Sequence, residues 1–565
     1  MQKLLRIAPI VCALSVCGCA AEREARIGTL EPVVFDTVES APEADYHILV
    51  AEIALQRGEY DVAAMEYAAA ARLSNDVDLA MRATEVNFQH GSLSDAIDSA
   101  ERWLGLDAEA GDARRFLVRL YLRAGDTGGA QQQLEELVRT SEPPASGDAF
   151  MNALALLSDV QERSLATRVM KRLTAQYRDS AEAQYALAAL ALRSGDAGLA
   201  THSARRAREL KPDWTDARLL FARALVLDGD VDAGLAEARA LVREAAGSAE
   251  RLEYALLLGS TGHVDEARAL LEEMLIEEPR DVDALRVLGL LELEAGNSEA
   301  AETHFNALLV TGRYPYEAFY YLGAIAEQRE EYERALQLYT RVRAGQHVAD
   351  AQIRSAQVLL ALGDAEAGIR HLAEMAELLP DHAADLLAAR GQLLEQIGDM
   401  DGALTAYDEG LRMHPENESL LYARAFLYER LDRVEDAVAA LRRMVQARPD
   451  DAAALNALGY TLADRTDRHR EALRYISKAL KLDPDNPAII DSMGWVLFKR
   501  RRYAAAIEHL ERAYALAPDA EIAAHLGEVL WVSGHESKAQ QVWRDALDEF
   551  PDAPAILDTM TRLGA

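Results

Sequence analysis

The chain has 565 residues, 50% of them apolar and 27% charged, enough for several domains or one extended array. A net charge of −34 argues against a surface that neutralises nucleic-acid phosphates or lies on an anionic bilayer. All three cysteines (Cys12, Cys17, Cys19) sit at the N-terminus, so beyond Cys19 no thiol remains for a disulfide, a nucleophile or a zinc site.

The chain opens MQKLLRIAPIVCALSVCGCA, with basic Lys3 and Arg6 before a short apolar run from Ile7 to Val16. That run falls short of the ~20 residues a membrane span needs. Residues 1–18 therefore read as a signal peptide. Val16-Cys17-Gly18-Cys19 resembles the lipobox of bacterial lipoproteins, with an aliphatic residue three before the acylated Cys and a small one directly before it. The resemblance implies lipidation at Cys19. With Ala20 rather than Asp following, it implies the outer membrane, periplasmic face. Residues 19–43 come next as lipidated Cys and tether. Within them Val33-Val34-Phe35 either belongs to the tether or docks as a cap on the repeat array that begins near residue 44.

From about residue 44 the sequence repeats. Late prolines stand at 380, 415, 449, 484, 518 and 551, spaced 35, 34, 35, 34 and 33, each after a helix-patterned run. Small residues keep step: Gly289 and Gly323 are 34 apart, as are Ala301 and Ala335. Gly494 and Gly527 are 33 apart, as are Ala506 and Ala539. Each glycine precedes its alanine by 12 residues, the length needed to leave one helix, turn and enter an antiparallel second. Units start near 44, 77, 111, 147, 181, 215, 248, 282, 316, 349, 384, 418, 452, 487 and 520. The unit at 147–180 is the most divergent, and SEPPASG (141–147) before it suggests a kink. This divides the array into divergent repeats over 44–180, a main array over 181–554 and a capping helix over 555–565.

The unit PAIIDSMGWVLFKRRRYAAAIEHLERAYALAP (487–518) resembles the tetratricopeptide repeat, a helix–turn–helix of 34 residues. Met493-Gly494, Leu497, Tyr503, Ala506, Leu510, Ala513 and Pro518 carry the likeness. It implies an all-α superhelical solenoid of about 15 repeats.

No HExxH pair, Walker-type loop or GxSxG elbow occurs, and the pattern calls for no catalysis, cofactor or metal. His371 and Glu374, at i and i+3, read as a solvated helix face. The run Asp464-Arg465-Thr466-Asp467-Arg468-His469-Arg470 looks at first like a chemical site. Yet Gly459 and Ala472 bracket it at repeat positions 13 apart instead of 12, so it reads as a turn lengthened by one residue, its charges in water.

The repeat resemblance implies that the first helix of each unit lines a concave face at its positions 2, 5, 9 and 12. Late in the chain these positions hold Tyr422 and Phe426, then Asn456 and Tyr460, then Asp491, Trp495 and Phe498, then Glu528 and Trp531. Aromatics with polar tips suit a peptide groove, and the acids suit basic segments. Tyr422 and Trp495 fit a groove or an inter-helix core equally well. The carboxylate-clamp set of the family is not matched, since no lysines accompany Asn456.

The lipobox, the acidic array and the segments NALGYTLADRT, AIIDSMGWVLF and AAHLGEVLW together resemble proteobacterial outer-membrane lipoproteins of this repeat class. Those proteins serve as adaptors for a periplasmic carboxy-terminal processing protease. The resemblance implies a non-catalytic partner that activates the protease and delivers substrates such as cell-wall hydrolases. A scaffold for exopolysaccharide or pilus secretion is the alternative, and self-association stays open.

Overall fold

A computed structural model describes residues 42–141, 146–160, 162–245 and 247–565. The signal peptide, Cys19, the tether and the centre of SEPPASG lie outside the described residues. Among those described, the fold is all-α, as expected: 31 α-helices and one short 3-10 turn at Pro380–His382. They form fifteen antiparallel pairs and a closing helix, Pro554–Leu563.

The described residues fall into two compact units, one up to residue 311 and one over 312–565. The first holds eight described pairs, from Pro42–Arg57 with Tyr60–Leu73 to Val282–Glu294 with Ser298–Thr311. The second holds seven pairs, from Pro315–Gln328 with Tyr332–Tyr339 to Ala520–Val532 with Glu536–Glu549, and the closing helix.

Local signals explain the boundaries. Pro415, Pro449, Pro484 and Pro518 each stand two residues past the end of a second helix, where a missing N–H costs nothing. A capping side chain stands within two residues of each. Asn417 accepts from the Leu420 amide, Asp451 from Ala454, Asn486 from Ala488 and Ile489, and Asp519 from Glu521 and Ile522. Each cap contributes about 1 kcal/mol.

Pairing within a repeat rests on a socket. A Cβ on Gly289, Gly323, Gly391 or Gly527 would overlap the ring of Phe305, Tyr339, Tyr407 or Trp543 on the second helix. Each ring residue lies 16 positions beyond its glycine. Tyr339 and Tyr407 also donate from their hydroxyls to Glu327 and Glu395 on the first helix, at 2.6 and 2.5 Å. In the second unit one continuous apolar cluster runs from Ala425 through Leu458, Ile476, Leu497, Leu510 and Trp543 to Ile556. Each fully buried aliphatic side chain there stabilises the stack by about 1.5–3 kcal/mol.

Candidate protein-binding face

Four successive first helices carry the expected face: Glu418–Arg430, Ala452–Arg465, Pro487–Lys499 and Ala520–Val532. All lie in the second unit. The side chains divide into an open set and a set used inside the chain.

The open set lies on the first two helices. Phe426 is 46% exposed, and its ring stacks on Tyr422 at 6.1 Å with planes 18° apart. The Tyr422 hydroxyl and the Asn456 Oδ1 are buried atoms with no hydrogen-bond partner among the described residues. Burial, with Asp451 nearby, pushes the Tyr422 phenol up to about 12. Glu429, one turn beyond Phe426, also has an unpartnered buried oxygen. Burial holds its carboxyl above the usual range, against the lowering effect of Thr461 and Arg465. These atoms are enclosed, so what the two helices present to solvent is the Phe426 ring beside Tyr422.

The other set is built around His525. Its Nδ1 lies 3.0 Å from both oxygens of Asp491. Its ring stacks on Trp495 at 4.2 Å. Burial acts to lower the imidazole pKa. The Asp491 carboxylate, with Glu521 and Glu528, outweighs it and holds the group above its ordinary value. The Trp495 indole N–H donates to Asp464 at 3.0 Å, and Lys499 lies over the Trp495 ring while pairing with the same Asp464 oxygen at 3.2 Å. Phe498 packs beside Trp495 at 5.1 Å. Arg562 of the closing helix grips Glu528 with two hydrogen bonds, at 2.9 and 2.5 Å. Asp491, Trp495 and Glu528 are thus buried, with their polar atoms engaged within the chain.

Tyr460 and Trp531 flank this network, half-buried. Tyr460 approaches His525 at 6.1 Å, and burial, then Asp464, Glu521, Asp491 and Glu429, raises its phenol well above the usual range. Trp531 tilts against the buried Trp543 at 5.9 Å.

The charged run departs from expectation in one respect. Asp464 and Arg465 are not turn residues: they close the helix Ala452–Arg465, and while Arg465 is exposed, partly buried Asp464 serves Trp495 and Lys499. Only Thr466, Asp467 and Arg468 connect the helices. Arg465 pairs with Asp432, and Arg468 with Glu435, one repeat earlier. His371 likewise is not a solvated face residue. Its Nε2 lies 2.9 Å from the Gln352 Oε1, and burial lowers its pKa against the pull of Glu374. Among the described residues no group of three His, Cys, Asp or Glu is placed to hold a metal.

The reading from sequence missed His525, Lys499 and Arg562. The available signal for His525 was its spacing: it stands 34 residues after Asp491, one repeat.

Comparison with known proteins agrees with this architecture. Tetratricopeptide-repeat family models match residues 252–318, 353–418, 492–556, 396–459 and 452–486. The chain is 32% identical over 525 residues to the TPR repeat-containing protein PA4667 of Pseudomonas aeruginosa, covering 86% of this chain and 82% of that protein. A shorter match, 27% identical over 228 residues, is to the CTR9 homolog of Arabidopsis thaliana (38% of this chain, 21% of that protein). Among solved structures, yeast Tom70 aligns at 15% identity and a TM-score of 0.39, over 74% of this chain and 95% of its own. Chains of the APC/C hetero-tetramer Cut9-Hcn1 align at 15% identity and 0.33, over 93% and 97%. The chain belongs to the tetratricopeptide-repeat proteins, a family of helical repeat scaffolds that bind other proteins.

Proposed function

We propose that this protein is a lipid-anchored periplasmic adaptor. Acylated at Cys19, it is held on the inner face of the outer membrane, binds a carboxy-terminal processing protease and presents protein substrates such as cell-wall hydrolases to it. The lipobox-like Val16–Cys19 supports the anchor. The likeness of the late repeats to protease-adaptor lipoproteins supports the partner. The observation that supports a binding role is the patch of Tyr422, Phe426 and Asn456, where the Phe426 ring is 46% exposed and stacks on the half-buried Tyr422.

The test is affinity capture of the full chain from detergent-solubilised envelopes, with Cys19→Ser and Phe426→Ala variants beside it. The protease and its substrates co-purify with the wild type, less so with Phe426→Ala, and Cys19→Ser leaves the membrane fraction. Recovery of no protease, together with unchanged hydrolase turnover in a deletion strain, overturns the proposal. Recovery of secretion-machine components instead favours the assembly scaffold.

A further inference from the structure

One repeat breaks the pattern of the array. The helix Tyr332–Tyr339 stops after 8 residues, where every other second helix runs 12 to 15. No proline stands at its expected end, and Ala344-Gly345 turns the chain instead, with Gly345 at φ +88. The next helix still starts on schedule at Val348, so residues 340–347 form a loop in place of the last helical turn and a half.

This loop is built from inside. Val342 is fully buried. Its carbonyl accepts from the Gln352 amide at 2.7 Å, and buried Gln352 is held in turn by His371. His347 stacks on Tyr320 at 4.2 Å with planes 6° apart and meets Tyr321 edge-on at 5.3 Å. Tyr320 donates its hydroxyl to Asp350.

The outer side is different. Arg341 and Arg343 are both exposed, and among the described residues neither pairs with a carboxylate. The Arg341 guanidinium lies 5.4 Å from the centre of the Phe319 ring. Nearby arginines of the same repeats do find acids: Arg334 takes Glu331, and Arg354 takes Glu327 and Asp350. Phe319 shares its helix face with Tyr316, which is 36% exposed, and Tyr314 before it is 40% exposed. Five aromatics thus fall within Tyr314–Tyr321, with the Arg341 guanidinium over one of them and exposed Arg343 two residues further along the same loop.

We propose that this loop and the aromatic row beneath it dock an acidic segment of a partner protein, one carrying an aromatic or aliphatic side chain. Guanidinium groups bind carboxylates with two parallel hydrogen bonds, and the tyrosine and phenylalanine faces take the apolar side chain. The charge of −34 makes two uncompensated arginines a local attraction for a short acidic segment and leaves an extended polyanion repelled by the remaining surface. The site is separate from the Tyr422–Asn456 patch and does not depend on the adaptor role.

The test uses the full chain and two degenerate peptide pools matched in length and aromatic content, one carrying Asp and Glu, the other Lys. The acidic pool binds, more weakly as salt rises. Arg341→Glu with Arg343→Glu weakens it by roughly tenfold without loss of helix signal, while Arg470→Glu, a charge reversal at an exposed residue elsewhere in the second unit, leaves it unchanged. Equal binding of both pools, or no effect of the charge reversal, overturns the proposal. Sedimentation is the second arm: concentration-dependent dimers abolished by the reversal would make the occupant a second copy and sink the assignment to a partner.

Discussion

His525 and Asp491 form a buried hydrogen-bonded pair one repeat apart, the imidazole Nδ1 at 3.0 Å from each carboxylate oxygen. Both residues are under a tenth exposed, and Trp495 closes the pair on one side. The pair links the helices Pro487–Lys499 and Ala520–Val532 through side chains on the face expected from sequence to line a groove. It makes the late part of that face a structural clasp.

The pair has a pH signature. Because the folded protein raises the imidazole pKa, the stabilisation is complete below about pH 6.5, the unperturbed value, and is lost as pH rises through the higher folded-state value. Urea unfolding of the second unit, followed by the fluorescence of Trp495, Trp531 and Trp543, should therefore show a falling midpoint above neutral pH. Asp491→Asn breaks the pair, costs about 3–5 kcal/mol and removes this pH dependence. An unchanged midpoint from pH 6 to 9 in the wild type would count against a charged His525.

The division of the face yields opposite outcomes for two aromatics. Phe426→Ala removes a ring that is 46% exposed, so the fold changes by no more than about 0.5 kcal/mol while partner binding weakens roughly tenfold. Trp495→Ala removes a ring 5% exposed with its N–H bonded to Asp464, and costs about 3–5 kcal/mol of stability. Thermal unfolding and captured-partner yield, measured side by side, separate the two effects. Loss of binding in Trp495→Ala with an unaltered melting curve would return that residue to the groove.

Much of the fold was legible because the repeat is a short-range code. The proline spacing and the Gly-to-Ala distance of 12 placed each first helix to within two residues of where it begins, as at Val282, Glu418 and Pro487. What the glycine accommodates was not legible. The ring at +16 is Phe, Tyr or Trp in different repeats, so no single residue type marks it. The groove was legible as a face and not as a surface. Position within the first helix places Asp491 and Glu528 on that face, but only the neighbouring repeats decide that His525 and Arg562 occupy them. Asp464 was misplaced for the same reason, since its partners Trp495 and Lys499 belong to the next repeat.

The socket predicts that two glycines respond in opposite ways to alanine. A Cβ at Gly527 would stand 2.0 Å from the Trp543 indole nitrogen, and Trp543 is fully buried. Gly527→Ala therefore costs about 1–3 kcal/mol, although alanine is the better helix former by about 1. Gly105, near the end of Leu93–Leu106, has nothing within 4 Å of that position, so Gly105→Ala is neutral to stabilising. Denaturation midpoints of the two variants test this, and equal shifts would refute the socket.

The extra residue of this repeat gives the last prediction: the helix Ala452–Arg465 has 14 residues where Glu418–Arg430 and Pro487–Lys499 have 13, and the connection after it keeps three. Gly459 meets Ile476, 17 residues on, where standard repeats use 16. Deleting Asp467 would restore 16, and would bring Ala472 to 12 residues from Gly459. The standard turn needs one residue at positive φ, as Asp432 and Arg501 show in the flanking repeats. Here Thr466 is extended instead, its hydroxyl donating to the Leu462 carbonyl at 2.6 Å and accepting from the Arg468 amide at 3.1 Å. The deletion therefore costs about 1–3 kcal/mol for strain at a non-glycine residue and keeps the helix pair. Deleting Arg501 from the standard turn after Lys499 is the control. It rotates the helix Tyr503–Leu516 by about 100° relative to Gly494 and carries Leu510 out of contact with it. Circular dichroism and thermal unfolding should show the Asp467 deletion folded with a lowered midpoint and the Arg501 deletion with at least one repeat unfolded. Equal damage from both would mean that the extra residue is part of the packing and not an insertion the repeat absorbs.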